Sequence, residues 1–248
     1  NSQCSASLGD LIYCEMVETF HVNSLRVQIV GNYITQLNLT YKYTGAQYQT
    51  MLTDVRAKAA LLTQDLVNNS ALTDVEKALL LHDRLAMITE YDFSFSDLAY
   101  TGYGALVRGK SVCQGYAIAY DHLLETVGIE SYVCSSDNLN HAWNVITVGG
   151  KPYHVDVTWD DLAWYNNERG VVGGVEHDNF LRSTDGIYET GHTASDFDDR
   201  PVDTTYDDYR WQCSNTAFQM IDNELYYIDN ETQQLKRFRD ETVLCSVA

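Results

Sequence analysis

Three short segments hold the residue types that thiol acyl chemistry needs. They are "GKSVCQGYA" around Cys113, "NHAWNV" around His141 and "YHVDVTWDD" around Asp156. A cysteine attacks a carbonyl as its thiolate, a nearby imidazole takes the thiol proton, and a carboxylate fixes the imidazole tautomer. Cys113 falls at the start of a helix expected over 113–127. There the unsatisfied amides and the helix dipole favour a thiolate and can receive an oxyanion. His141 immediately precedes an expected strand over 142–148, and Asp156 falls on another over 152–158. Gly149-Gly150 joins them as a two-residue hairpin turn. That loop sets Trp143 opposite Asp156 and His141 opposite Thr158. Side chains alternate along a strand, so His141, Trp143 and Val145 share a face with Asp156. His141 and Asp156 become diagonal neighbours within reach of each other. Ala142, Asn144, Ile146, Val155 and Val157 form the other face, which suits burial.

Other residues compete for these roles. His154 lies on the same face as His141, but opposite Val145 and further from the cysteine-bearing end. Asp160 and Asp161 are the next carboxylates after Asp156. Tyr103, in a loop with Gly102, Gly104 and Gly109, is a candidate oxyanion donor or a packing residue. Gln114 offers a polar donor beside the nucleophile or points to solvent. Trp143, Trp159 and Trp164 line the cleft or fill the core. Cys134, on a strand expected over 130–136, reads as an inert core thiol. His82-Asp83 on a helix reads as structural, because adjacent helical residues point apart. No C-x-x-C pair and no calcium-loop spacing occurs, so no metal site is expected. Asp196-Phe197-Asp198-Asp199 and Asp207-Asp208 read as solvated acidic faces. Three N-x-S/T matches, at Asn38, Asn68 and Asn230, matter only in a eukaryotic secretory setting.

The positioning elements follow from periodicity. Residues 15–44 are rich in Val, Ile, Thr and Tyr with a Gly31-Asn32 turn, the signature of short strands. Over 47–67, Met51, Leu52, Val55, Ala59, Leu62 and Leu66 make one helical face. Thr73 and Glu76 form a capping box that starts a second helix, 74–89. In the 113–127 helix the stripe is Tyr116, Tyr120, Leu123, Leu124 and Val127, with Gly128 as C-cap. Residues 160–210 are acidic and irregular, and 216–245 read as a terminal run of strands. The expected organisation is an N-terminal part, 1–70, packed on a catalytic core, 71–200, with a C-terminal β-hairpin extension, 201–248.

The 248 residues carry 16 Lys and Arg against 35 Asp and Glu, a formal charge of −19. So acidic a chain repels phosphate backbones and anionic lipid, which argues against nucleic acid as a partner. Hydrophobic content is 45% and aromatic content 12%, a globular composition. No apolar run approaches the roughly 20 residues that cross a bilayer, so no membrane insertion is expected. The chain opens on Asn with no signal-like stretch behind it, as a processed or trimmed chain would. Six cysteines allow terminal disulfides, Cys4 with Cys14 and Cys213 with Cys245, or six free thiols.

These motifs resemble the core of the transglutaminase-like superfamily, in particular its bacterial cysteine-protease-like members. The resemblance is closest over 75–160, through "LLLHDRLAMITEYDF" and "TGYGALVRGKSVCQGYAIAYDHLLETVGIESYVCSS". "HDNFLRSTDGIYETGH" at 177–192 is a weaker continuation. It implies an α+β, papain-like fold, with the catalytic Cys at a helix N-terminus packed on an antiparallel sheet and extra terminal strands. It places the nucleophile on Cys113, the general base on His141 and the orienting carboxylate on Asp156, and implies no cofactor. The reaction implied is hydrolysis of a peptide or isopeptide bond in a peptide, protein or cell-wall peptide, by a secreted or surface bacterial enzyme. Transfer of a glutamine acyl group to an amine is the alternative within that chemistry. A non-catalytic binding or scaffold module is the alternative outside it.

Overall fold

The computed structural model describes residues 17–162 and 174–247. Cys4, Cys14 and Trp164 lie outside the described residues. The first strands form where the Val, Ile, Thr and Tyr content and the Gly31-Asn32 turn place them. β1 (Val22–Val30) pairs antiparallel with β2 (Tyr33–Tyr41) across a turn in which Gly31 has φ +62°. Two capping boxes start the next two helices. Thr44 and Gln47 open α1 (Gly45–Thr63); Thr73 and Glu76 open α2 (Asp74–Ile88). The buried residues of α1 include Leu52, Val55, Ala59 and Leu62. In α2 burial extends right round the helix, from Glu76 through Asp83 to Leu85 and Ala86. A helix buried on all sides lies at the centre of a fold.

Two short strands, β3 (Glu90–Tyr91) and β4 (Lys110–Ser111), pair in parallel just before α3 (Cys113–Thr126). Between them the Gly-rich stretch forms a single helical turn, Gly104–Arg108. Gly128, at φ +82°, follows the end of α3 in the left-handed region where glycine costs least.

The central sheet has the order β5-β6-β7, from β5 (Ser131–Ser136), β6 (His141–Val148) and β7 (Lys151–Val155). The Gly149-Gly150 hairpin has the expected register, with Asn144 opposite Val155 and Val145 opposite His154. The expected strand over 152–158 is cut short, however. Asp156 leaves the ladder, and its side chain accepts the N–H of Thr158 (2.9 Å) and Trp159 (3.3 Å). It thereby caps a one-turn helix, α4 (Val157–Asp160). Beyond it come α5 (Thr184–Glu189) and a four-stranded sheet ordered β11-β10-β9-β8. Its strands are β8 (Gln219–Ile221), β9 (Glu224–Asp229), β10 (Gln234–Arg237) and β11 (Val243–Ser246). The fold is α+β with antiparallel main sheets. One apolar core takes residues from α1, α2, α3 and the central sheet. Trp211, Phe218, Leu225, Tyr227 and Phe238 of the C-terminal part join it. No described helix is long and apolar enough to cross a membrane.

Of the two cysteine readings, Cys213 and Cys245 follow the free-thiol one: the Cys213 thiol donates to the Arg210 carbonyl (2.8 Å), and Cys245 is exposed on β11. Two expectations change. The acidic residues near 200 hold a loop together rather than only facing water. Asp196 accepts from Ser136 Oγ and Asn138 N–H, and Asp207 accepts from Ser183 N–H (2.7 Å) and Oγ (2.6 Å). Lastly, the side chains of His82 and Asp83 meet: His82 Nδ1 donates to Asp83 Oδ1 (2.8 Å).

That last contact belongs to a buried ionic cluster. His82 Nε2 donates to Asp160 Oδ2 (3.1 Å), and His177 Nε2 donates to Asp83 Oδ1 (3.0 Å). His177 Nδ1 donates to the Ser214 carbonyl (2.9 Å), and Phe218 N–H donates to Asp83 Oδ2 (2.6 Å). Both ring nitrogens of His82 face carboxylates, so both carry protons. Burial opposes that charge, but the hydrogen bonds and charges of Asp160 and Asp83 outweigh it and raise the pKa to about 9. A pKa raised on folding contributes stability that is complete below the unfolded value, about 6.5, and disappears as pH rises through the folded one. Urea unfolding between pH 6 and 10 should therefore show wild-type stability falling from about pH 6.5 and levelling off above about 9. Asp83→Ala takes the shared carboxylate from both imidazoles and should cost about 3–5 kcal/mol at pH 7. A flat pH dependence would show that the cluster is not charged.

Candidate active site

Cys113 is the first residue of α3, and Val112 before it is extended and places no side-chain cap on the helix. The first turn packs tightly on the preceding loop. A Cβ at Gly115 would lie 2.1 Å from Ser111 Oγ and 2.6 Å from the Ala99 carbonyl. The glycine in "CQGY" therefore lets residues 99–101 approach the helix start that carries Cys113.

His141 opens β6 directly after Asn140, which takes φ +47°, a conformation asparagine tolerates. Its Nε2 donates to Asp156 Oδ2 at 2.6 Å. A carboxylate can only accept, so the tautomer is fixed and Nδ1 is left for the thiol side. Burial of the ring disfavours its charge. The charge and hydrogen bond of Asp156, with a hydrogen bond and charge from Cys113, prevail and raise the pKa to about 10. The indoles of Trp143 and Trp159 stack on this imidazole, with centroids 5.6 and 5.1 Å away. An indole face also stabilises an imidazolium.

Asp156 is completely buried. Burial alone would raise its pKa, but the charge and hydrogen bond of His141 and the hydrogen bond of His192 hold it well below the usual carboxylate range. His192 Nε2 donates to the same Oδ2 at 2.9 Å, and its ring packs on Trp159 with centroids 4.0 Å apart. Sequence reasoning did not single out His192. Its only signal was its place at the end of the "IYETGH" stretch, 36 residues from its partner.

The site residues are distributed as follows. Cys113, His141 and Asp156 come together. Gln114 lines the cleft of about 460 Å³ that opens beside Cys113. Trp143 does not line it: the side chain is buried, and its Nε1 donates to His154 Nδ1 (3.1 Å). Trp159 acts on the His141 ring rather than on the cleft. Tyr103 is elsewhere, packed against Phe20 with centroids 5.2 Å apart. Its ring was needed by the core that α1 and residues 17–20 form. Tyr91, Phe95 and Tyr100 give the cleft its aromatic lining, and Ser135, Ser136, Asp137 and Asn140 its polar lining. His154 is sealed in, and burial pushes its pKa down to about 4, so it remains neutral and cannot replace His141.

Two groups have the donor types of a metal site, His82-Asp83-His177 and His141-Asp156-His192. In each, the imidazole nitrogens lie 2.6–3.0 Å from one carboxylate oxygen. These are direct hydrogen bonds, and both groups read as ionic clusters.

No family model matches the sequence, and no curated protein matches it. Among solved structures the chain is similar to a TGase at 13% identity, over 55% of this chain and 44% of the other, with a TM-score of 0.38. It is also similar to a "putative cysteine protease" from Cytophaga hutchinsonii at 15% identity, over 47% and 43%, with a TM-score of 0.35. The chain thus spans less than half the length of either structure.

The His141 pKa is open to direct measurement. In a nitrogen-detected NMR titration the wild-type ring should stay protonated until about pH 10. In Asp156→Asn burial remains without its compensating charge, and the ring should titrate at or below about 6.5. An unchanged titration would exclude Asp156 as the controlling carboxylate.

Proposed function

We propose that this protein is a cysteine-dependent acyl-transfer enzyme of transglutaminase-like type that hydrolyses peptide or isopeptide bonds. The observation that carries this reading is one imidazole held between a thiol and a buried carboxylate, at the wall of an open cleft. Asp156 and Cys113 together raise the His141 pKa to about 10, so its ring accepts the thiol proton on Nδ1 as the sulfur becomes a thiolate, and holds that proton for the leaving group.

The sulfur attacks the substrate carbonyl carbon, and the C=O electrons move to oxygen. The amides at the start of α3 point towards that oxyanion and stabilise it. When the intermediate collapses, the C–N bond breaks and His141 Nδ1 gives its proton to the leaving amine. This leaves a thioester on Cys113. Neutral His141 then takes a proton from water, the hydroxide attacks the thioester, and the acid departs as the thiolate and imidazolium re-form. Asp156 stays ionised throughout and holds the ring in register. A primary amine entering in place of water would give transamidation by the same steps. The polar rim of Ser135, Asp137 and Asn140 admits water to the cleft and favours hydrolysis.

A mass-spectrometric screen of peptides and peptidoglycan fragments, with and without a primary amine, tests this. Wild type should release cleaved or deamidated product, and Cys113→Ala should release none. Amine incorporation exceeding hydrolysis would make the enzyme a transglutaminase. Because the imidazolium is lost as pH rises through its pKa, kcat/KM should fall on the alkaline side near pH 10. Asp156→Asn should move that limb to lower pH and cut turnover by several powers of ten; the comparable serine-protease change costs about 10⁴-fold. Turnover by Cys113→Ala equal to wild type would overturn the assignment.

A further inference from the structure

The two edges of the central sheet are finished differently. Along β7 the edge is closed: His154 and Arg182 exchange backbone bonds of 2.8 and 2.9 Å, and Asp156 N–H donates to the Asn179 carbonyl (3.0 Å). Along β5 it is open among the described residues, where β5 pairs only with β6.

Register decides which β5 groups face outward. Thr147 N–H donates to the Glu130 carbonyl at 2.8 Å, and pairing runs unshifted from Ser131–Ile146 to Ser136–His141. Hydrogen-bonded and non-bonded pairs alternate in an antiparallel ladder. Tyr132, Cys134 and Ser136 therefore direct their backbone groups at β6, while Val133 and Ser135 direct theirs away from the sheet. Among the described residues neither Val133 nor Ser135 has a backbone partner there. The Ser135 amide has the Cys134 thiol near it, a weak acceptor.

Both residues line the cleft that contains Cys113 and Gln114. The strand ends at Ser136, opposite His141, so the open edge leads straight to the base. Exposed edges are usually guarded by lysine, proline or a bulge, because they invite another strand. "SYVCSS" has neither residue and no bulge. An unguarded edge inside a cleft is suited to main-chain recognition.

We propose that the free edge of β5 binds the acyl side of an extended peptide substrate as an added strand, with the N–H and C=O of Val133 and Ser135 bonded to alternate peptide residues. The proposal rests on the acyl-transfer reading and narrows it: the substrate is a peptide chain recognised through its backbone, with tolerance in side chains. The acyl side is the part that remains attached through both half-reactions, so binding it orients the carbonyl in each.

The test uses an alanine pentapeptide chloromethyl ketone, which alkylates a cysteine by forming a C–S bond and expelling chloride. Second-order rates at Cys113 are compared across a series with one N-methylated amide at a time. Methylation should slow alkylation about three- to tenfold at alternate positions only, the effect of one lost hydrogen bond. Ser135→Pro removes an outward N–H without touching the β5–β6 ladder, which an edge strand tolerates. It should slow the parent reagent similarly and abolish the sensitivity at one methylated position. Ser131→Pro, beyond the cleft, should do neither. Iodoacetamide, which has no backbone to bind, should label Cys113 equally fast in all three proteins. Uniform rates across the methyl series, with fast iodoacetamide labelling, would overturn the edge as a binding site and leave the enzyme reading intact. Iodoacetamide labelling of Cys113 no faster than that of exposed Cys245 would instead overturn the enzyme reading and this proposal with it. The methyl series on wild type decides the matter even where Ser135→Pro fails to fold.

Discussion

The Asp156 carboxylate is wholly out of water, and a charge in that position survives only if its lone pairs are met. Four donors meet them: the Thr158 and Trp159 amides on Oδ1, and the His141 and His192 imidazoles on Oδ2. Each donor commits a part of the fold. The amides require β7 to stop at Val155 and turn into α4. The imidazoles require the start of β6 and the segment after α5 to converge on one oxygen. The orientation of the His141 ring is thus the by-product of satisfying a buried charge. Removing that charge would unsettle the elements around it as well as the ring.

The far end of α4 is fixed by a second ionic cluster. Asp160, one turn on from Asp156, accepts from His82 on α2 and from the Asn179 backbone and side-chain amides. His82 shares Asp83 with His177, and Asp83 also accepts the Phe218 amide, which leads into the C-terminal sheet. A four-residue helix has little stability of its own. Held at both ends by buried carboxylates, it transmits the position of α2 and the C-terminal part to the carboxylate that orients His141. The C-terminal strands therefore contribute to the site without touching the cleft.

Much of this was legible in the sequence. Periodicity and capping boxes located α1, α2 and α3 to within a few residues, because amphipathic stripes and caps are local signals. The Gly149-Gly150 turn fixed the β6–β7 register, since a two-residue hairpin leaves no slack. That register placed His141 near Asp156, although the contact is made through the cap of α4 and not across a continued ladder. The resemblance nominated Cys113, His141 and Asp156, and the three do meet.

What stayed hidden depends on distant chain segments. His192 reaches Asp156 only because α5 folds back over the sheet, and no spacing rule links residues 36 apart. His82 and Asp83 looked like neighbours pointing apart; a shared set of buried partners drew them together. Tyr103 was the aromatic residue that the sequence offered to the site, and packing against Phe20 took it away from the cleft, which Tyr91, Phe95 and Tyr100 line instead. The sequence by itself determined the local elements, the hairpin register and the chemical types available. Tertiary structure alone decided which charges would be buried together and which sheet edge would stay open, because burial and edge protection are properties of the whole packed chain.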